Sequence, residues 1–164
     1  MIKHLRLDER LIHGQIAIKW SRNLDINRII VANDEAGTNK TIERSLMMAA
    51  PQNLKVAIQT IDKSIEILKD PRAKDLKILL IVATPQDVLK IINQIKDVDV
   101  INVGNYGRIA KKKEGESRKS YGSNLYAYDE EVDIFKEIIA SGIKCIYQTT
   151  PEDNPEPLDK ALKI

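Results

Sequence analysis

Short apolar runs alternate along this chain with segments whose apolar residues recur every three or four positions. The runs predict strands, and the nearly continuous run at residues 76–82 is typical of a strand buried on both faces. The segments between the runs predict helices, for example over residues 40–49, which Pro51 ends. The six predicted strands cover residues 2–7, 29–32, 54–58, 76–82, 98–103 and 143–147.

Capping signals agree with this alternation. Thr84 is a good N-cap and Pro85 suits the first helical position. Asp129 opens a later helix that Gly142 closes, and a short terminal helix starts at Asn154. Repeated strand–helix units predict an α/β fold, with an open, mostly parallel, doubly wound sheet, helices on both of its faces and room for one antiparallel edge strand.

Size and charge narrow the class of protein. The 164 residues predict a single domain, 1–164. The 26 Lys and Arg nearly balance the 24 Asp and Glu, and a net charge of +2 disfavours a general nucleic-acid binder. With neither a signal peptide nor an apolar run of roughly 20 residues, we expect a cytoplasmic protein. Cys145, the only cysteine, falls in a predicted strand and is expected to be a buried, inert thiol.

One long polar segment interrupts the pattern. Residues 106–126 are basic and dotted with glycine, and loops of this length are often functional or disordered. The basic run 111–113 is most simply a solvated loop, with contact to an acidic partner or a phosphate as the functional alternative. Residues 123–128 predict a short extra strand, whose antiparallel orientation is left open.

The first strand leads into the segment with the most chemical content. His13 follows that strand, and Ile12, Ile16 and Trp20 recur at helical spacing, which places His13 at a strand-to-helix turn. Ligands and chemistry collect at the carboxyl ends of the strands in an open α/β sheet. Because neutral imidazole is a nucleophile toward phosphorus, His13 is a candidate phosphoryl carrier. A structural, hydrogen-bonded histidine is an equal alternative from position alone.

Residues beside His13 supply groups that phosphoryl transfer needs. Arg10 is near enough to bind a phosphate on His13 through two guanidinium nitrogens, the alternative being an ion pair with an adjacent acid. Asp8 either orients the imidazole or caps the turn, with the cap slightly favoured. Backbone amides around Gly14 and Gln15 add donors at the helix N-terminus.

Other polar residues at this edge are weaker candidates. Arg6 alternates with Leu5 and Leu7 along the first strand, which fits a side chain on a solvated face. His4, in the same strand, is expected to be structural. Residues 33–35 (NDE) follow the second strand and are better explained as a loop and helix cap than as a magnesium site. The chain has no zinc-type spacing and no glycine-rich phosphate loop, so we predict no metal and no cofactor.

The segment 6–15 (RLDERLIHGQ) resembles the phosphorylation-site motif of the IIB components of the mannose/fructose/sorbose class of the bacterial sugar phosphotransferase system. Many relatives have two glycines after an Asn-Val pair, whereas Asn105 follows Gly104 here. The family fold agrees with the predicted sheet, and essentially the whole chain is covered. Beyond the motif, the similarity continues through residues 28–35, 50–51, 84–88, 101–105 and 129–135.

This resemblance implies a phosphohistidine-dependent sugar phosphotransferase. A phosphohistidine on the IIA component would donate its phosphoryl group to Nδ1 of His13, with Arg10 stabilising the transferring charge. His13 would pass the group to the 6-hydroxyl of a hexose or hexose derivative that the membrane IIC and IID components translocate. The implied partners are therefore IIA, IIC/IID and their sugar, without nucleic acid. The chain would be held peripherally at the membrane through IIC/IID, and a homo-oligomer is left open.

Two other classes of function stay open at this point. A non-catalytic sensor or adaptor would use phosphorylation of His13 only to regulate a partner, although no output domain is evident. A small-molecule or nucleotide-binding module is disfavoured because the phosphate-binding loops are missing.

Overall fold

The computed structural model describes residues 1–164 and contains nine strands. In chain order these are β1 (Ile2–Asp8), β2 (Arg28–Ala32), β3 (Lys55–Gln59), β4 (Ile78–Val82), β5 (Val100–Asn105), β6 (Lys119–Gly122), β7 (Leu125–Ala127), β8 (Lys144–Tyr147) and β9 (Glu156–Pro157). Seven of them form one sheet in the order β3-β2-β4-β1-β5-β8-β9, and β6 and β7 form a separate antiparallel hairpin. Within the large sheet all pairs are parallel except β8 and β9 at one edge.

Helices cover both faces of the large sheet. A smaller core lies between the sheet and the first three helices, and a larger core lies between the sheet and the last four. A 3₁₀ turn (Pro71–Ala73) follows the fourth helix. The helices are α1 (Ile16–Asn23), α2 (Asp34–Thr38), α3 (Lys40–Ala49), α4 (Ile61–Lys69), α5 (Pro85–Ile92), α6 (Asp129–Ala140) and α7 (Leu158–Ala161).

The two cores explain the sequences of the central strands. Every residue of β4 is buried, because alternate residues enter opposite cores. On β1, Leu5 and Leu7 enter the larger core, whereas His4, Arg6 and Asp8 are buried on the other side of the strand. The apolar–polar alternation of β1 therefore separates two buried surfaces, and neither of them faces water.

The predicted fold class is confirmed, with differences at element boundaries. The helix predicted over residues 40–49 is α3, and Thr84 caps α5 by accepting a hydrogen bond from the Asp87 backbone N–H. A further strand, β9, follows the strand that was predicted to be the last. The terminal helix begins at Leu158 and not at Asn154, because Glu156 and Pro157 pair with β8.

Cys145 was expected to be a buried, inert thiol, and the structure shows it only partly buried. Burial and, secondarily, the nearby Asp159 carboxylate raise the pKa of its thiol to about 11. The thiol is consequently protonated near neutral pH, as an unreactive cysteine would be.

The long polar segment is ordered around a buried ion pair. The Arg118 guanidinium donates to both carboxylate oxygens of Glu131, through Nε at 2.8 Å and through Nη2 at 3.2 Å. Glu131 also accepts hydrogen bonds from the Tyr106 hydroxyl and from the Tyr128 backbone N–H. Burial acts to raise the pKa of Glu131, but these donors outweigh it and hold the pKa below its ordinary value. One carboxylate of α6 thus fixes both ends of the segment.

We expect Glu131→Gln to lower the free energy of unfolding by about 3 kcal/mol, because Arg118 would keep its charge in a buried position without a partner. Urea denaturation measures this loss, and amide hydrogen exchange should rise across residues 107–118. Glu130→Gln is the matched control, since Glu130 pairs with Lys113 at the surface and such pairs contribute little. Equal effects of the two variants would contradict the assigned role of Glu131.

Candidate functional site

His13 lies in the turn between β1 and α1, at the carboxyl edge of the large sheet. Its side chain is 22% exposed. Leu11 and Gly14 have φ angles of 59° and 49°, which turn the chain back on itself after the strand. Gln15 is the N-cap residue of α1 and provides no side-chain cap. The backbone N–H groups of His13, Gly14 and Gln15 have no acceptor within the protein.

Asp8 holds one nitrogen of the imidazole. Its Oδ2 atom lies 2.9 Å from Nε2 of His13, and its Oδ1 atom accepts a hydrogen bond from the Arg10 backbone N–H at 3.1 Å. Asp8 therefore caps the turn with one oxygen and contacts the imidazole with the other. Asp8 is fully buried, while Nδ1 of His13 makes no hydrogen bond within the protein. The geometry leaves Nδ1 as the ring nitrogen available for chemistry.

Arg6 is 2% exposed, so the expectation of a solvated face was wrong. A strand with helices on both faces of its sheet has no face in contact with solvent. The alternate polar side chains of β1 lie instead in the layer between the sheet and α1. The Arg6 guanidinium donates to Asp8 Oδ2 at 3.1 Å and to Asn102 Oδ1 at 2.5 Å. It also donates to the backbone carbonyl oxygens of Gln148 and Thr149, at 3.2 and 2.9 Å. These four acceptors come from β1, β5 and the segment that follows β8.

Gly104 makes room for this guanidinium. A Cβ atom on Gly104 would lie 2.2 Å from Cζ of Arg6, closer than non-bonded atoms can approach. The glycine is therefore required by its neighbour and not by its own backbone conformation.

His4 and Trp20 complete the buried layer. Their rings stack with centroids 4.5 Å apart, and the Arg6 guanidinium lies 5.5 Å from the centroid of Trp20. The indole N–H donates to the carbonyl oxygen of Thr149 at 3.1 Å. Burial, reinforced by the charge of Arg6, lowers the pKa of His4 to about 4. His4 is thus neutral at physiological pH and structural, as expected from the sequence.

Arg10 is exposed and forms no ion pair. The adjacent acids are both engaged elsewhere, since Asp8 contacts Arg6 and His13. The carboxylate of Glu9 accepts hydrogen bonds from four consecutive backbone N–H groups, those of residues 107–110, at 2.9–3.3 Å. The Arg10 guanidinium is consequently free to meet an anion beside His13.

Within the segment 6–15, the structure joins Arg6, the Arg10 backbone and His13 directly to Asp8, and residues 33–35 make their contacts elsewhere. Asn33 caps α2 by accepting the Ala36 N–H, and Asp34 accepts the Ile61 N–H, as a cap-and-loop interpretation requires. The sequence reasoning did not identify Glu9, Asn102 or the carbonyl groups after β8. Asn102 carried a usable signal, because it is a polar residue in the middle of an apolar strand.

Known proteins share this fold and sequence. The family model described as the PTS system sorbose subfamily IIB component matches residues 2–164. A probable phosphotransferase enzyme IIB component of Streptococcus pyogenes serotype M6 is 34% identical over 155 residues, covering 88% of this chain and 95% of that protein. The N-acetylgalactosamine-specific phosphotransferase enzyme IIB component 2 of Escherichia coli K12 is 30% identical and is covered over 96% of both chains. The IIBSor domain of the sorbose permease from Klebsiella pneumoniae has the same fold, with a TM-score of 0.88 at 24% identity over 99% of this chain and 96% of that one.

The fold and these matches define a component of a sugar phosphotransferase system. The chain belongs to the sorbose subfamily of IIB components, in agreement with the resemblance of its motifs. It is therefore a sugar phosphotransferase subunit. None of its helices combines the length and the apolar character needed to cross a bilayer.

We expect Gly104→Ala to lower the free energy of unfolding by about 3 kcal/mol, because the new methyl group displaces Arg6 from its buried acceptors. Gly115→Ala is the matched control: its φ of 74° is strained for alanine but nothing lies within 4 Å of the added Cβ, so about 1 kcal/mol is expected. Urea denaturation compares the two variants. Equal losses of unfolding free energy in the two variants would mean that steric conflict with Arg6 does not cause the effect of Gly104→Ala.

Burial of neutral His4 should make stability depend on pH. The unfolded chain, with a histidine pKa near 6.5, binds more protons than the folded chain between pH 6.5 and about 4. This contribution is present in full above pH 6.5 and is lost as the pH falls, by about 2 kcal/mol between pH 7 and pH 5. His4→Phe keeps an aromatic ring on Trp20 and should flatten this part of the pH profile of unfolding. An unchanged slope in the variant would assign the pH dependence to other groups.

Proposed function

We propose that this chain is the phosphocarrier subunit of its transport system. It accepts a phosphoryl group from a phosphohistidine of a IIA component on Nδ1 of His13. It then transfers the group to the 6-hydroxyl of a hexose or hexose derivative carried by membrane IIC and IID components, to which the chain binds from the cytoplasmic side. Membership of the IIB family implies IIA and IIC/IID partners in general.

The contact between Asp8 and Nε2 of His13 carries this proposal. A carboxylate at 2.9 Å favours the tautomer with the proton on Nε2, which leaves the lone pair on Nδ1. That lone pair attacks phosphorus, the nitrogen–phosphorus bond of the donor breaks, and the donor imidazole leaves with the bonding electrons. The resulting phosphohistidine carries more positive charge on its ring, which the buried carboxylate stabilises.

Arg10 and the turn amides act on the phosphoryl oxygens. During transfer, charge spreads over three oxygens, and stabilisation comes mainly from positioned donors. The free Arg10 guanidinium and the unpaired N–H groups of Gly14 and Gln15 are such donors. In the second step the sugar hydroxyl attacks phosphorus and its proton passes to water, while the nitrogen–phosphorus bond breaks and returns its electrons to Nδ1.

Arg6 serves the reaction indirectly. It fixes the Asp8 carboxylate from the buried side at 3.1 Å and does not reach the turn surface. Its role is to hold the Asp8 carboxylate in place beneath the imidazole, so it is a positioning residue.

We expect purified chain, incubated with phosphoenolpyruvate, enzyme I, HPr and a matching IIA, to gain one acid-labile phosphate on His13. Intact mass and peptide mapping at neutral to basic pH detect this. His13→Ala should accept none while unfolding at nearly the same urea concentration, because a partly exposed turn residue outside both hydrophobic cores adds little to stability. Phosphorylation that occurs without sugar transfer by the complete membrane system would favour a regulatory adaptor, and no phosphate with several IIA donors would refute the phosphocarrier role.

Arg10→Ala should slow phosphoryl transfer by roughly a thousandfold or more, as loss of other phosphoryl-stabilising arginines does. Rapid-quench kinetics with phosphorylated IIA measure the rate. Arg22→Ala is the matched control, since Arg22 is exposed in the last turn of α1 and removes the same charge away from the turn. Near-normal transfer in the Arg10 variant would exclude the proposed role.

A further inference from the structure

A second cationic feature lies beside the His13 turn and takes no part in the proposed reaction. It is a cleft of about 270 Å³ between the start of the polar segment and the β6–β7 hairpin, referred to below as the hairpin cleft. Its lining includes Arg108, Lys112, Ser117, Arg118 and the ring of Tyr126. Three of these side chains are cationic, and no lining residue is acidic.

Two of the three charges are not neutralised. Arg118 is paired with Glu131, so its charge is compensated. Lys112 makes no ion pair or hydrogen bond, and Arg108 donates only to the backbone carbonyl of Ser123 while lying over the ring of Tyr126. The hairpin cleft therefore carries an excess charge of about two from exposed side chains above a fixed floor.

Neighbouring cations behave differently. Lys113 pairs with Glu130 and Lys119 pairs with Asp129, and these carboxylates line the adjoining cavity, not the hairpin cleft. Of the exposed cations, those beside the adjoining cavity are thus paired with carboxylates, whereas those that line the hairpin cleft are not. A segment that was basic only for solubility has no reason to be sorted in this way.

The floor of the hairpin cleft is rigid and supplies a further donor. Glu9 holds the backbone N–H groups of residues 107–110, which fixes the position from which the Arg108 side chain extends. The Ser117 hydroxyl makes no hydrogen bond within the protein. Arg108, held over the ring of Tyr126, the unpaired Lys112 ammonium and the Ser117 hydroxyl match the charge and acceptors of a phosphate dianion.

We propose that the hairpin cleft binds a phosphate dianion, either inorganic phosphate or the phosphoryl group of a small phosphomonoester. Its volume lies just below the roughly 300–1,000 Å³ of sites for drug-sized ligands, which favours a ligand no larger than a phosphorylated monosaccharide. The concave shape and convergent donors favour such an anion over an acidic protein surface. This site is distinct from the His13 turn, and its existence does not rest on the proposed phosphocarrier role.

Binding is tested on the unphosphorylated full-length chain by calorimetry and by NMR titration of backbone amides. The probes are inorganic phosphate, glucose 6-phosphate and, as the uncharged comparison, glucose. We expect saturable binding of at least one phosphate probe, with shifts at residues 107–118 and none for glucose. Tighter binding of glucose 6-phosphate would identify a phosphomonoester site, and equal affinities would identify a phosphate site.

Two double variants and one single variant locate the bound anion. Arg108→Gln with Lys112→Gln should weaken binding by about tenfold or more, since each removes a charge-assisted hydrogen bond. Arg22→Gln with Lys74→Gln removes the same net charge from exposed positions elsewhere, and Arg10→Gln disables the His13 turn; both should stay within about twofold of wild type.

Three results would overturn the proposal. One is the absence of saturable binding by either phosphate probe. Another is loss of binding in the Arg10 variant with retention in the Arg108/Lys112 variant, which would place the anion at the His13 turn. The third is weaker association of the Arg108/Lys112 variant with an acidic IIA protein in the absence of small-anion binding, which would make the cleft a protein-docking surface.

Discussion

The buried contact between Arg6 and Asp8 is the interaction on which the rest of the site depends. A fully buried carboxylate needs a cation, and a buried guanidinium needs several acceptors. Each group therefore lowers the free-energy cost of burying the other. The chain meets this requirement by bringing β1, β5 and the segment after β8 around one side chain. The sheet order follows from the same need, because β1 must lie next to β5, with β8 beyond it. One oxygen of the Asp8 carboxylate is therefore fixed within hydrogen-bond distance of the His13 imidazole.

Glu9 extends this organisation outward from the sheet. Asp8, Glu9 and Arg10 are consecutive, yet their side chains have different surroundings. Asp8 contacts the imidazole, Glu9 binds the polar segment, and Arg10 is exposed to solvent. The Glu9 carboxylate accepts hydrogen bonds from four backbone N–H groups and so attaches the start of the polar segment to the His13 turn. Farther along that segment, the Arg118–Glu131 pair ties it to α6. A stretch with the composition of a flexible loop is thus held in place by two carboxylates, and the Tyr128 hydroxyl adds hydrogen bonds to the backbone of Lys113 and Glu116.

The sequence predicted the alternation of strands and helices well because the signals are local. Thr84, Pro85 and the apolar run of β4 each act over a few residues, and each appears where expected. The candidate residues of segment 6–15 could also be placed at one turn, because their spacing from the end of β1 settles the position. What could not be predicted was long-range. The burial of Arg6 depends on acceptors some 96 to 143 positions away along the chain, and strand parity alone cannot tell a solvated face from a polar layer under a helix. The role of Glu9 is non-local for the same reason.

The chain contains one tryptophan, and its position has a practical consequence. Trp20 is 2% exposed, stacked on His4, beside the Arg6 guanidinium and hydrogen-bonded to Thr149. Indole emission is sensitive to nearby charge and to the partner of the N–H group, so the tryptophan component of the fluorescence of the unlabelled protein reports on the polar layer. Any event at the turn that shifts Asp8 and, through it, Arg6 will change the emission of Trp20. This emission records the state of the site in real time without a dye, a label or an engineered residue.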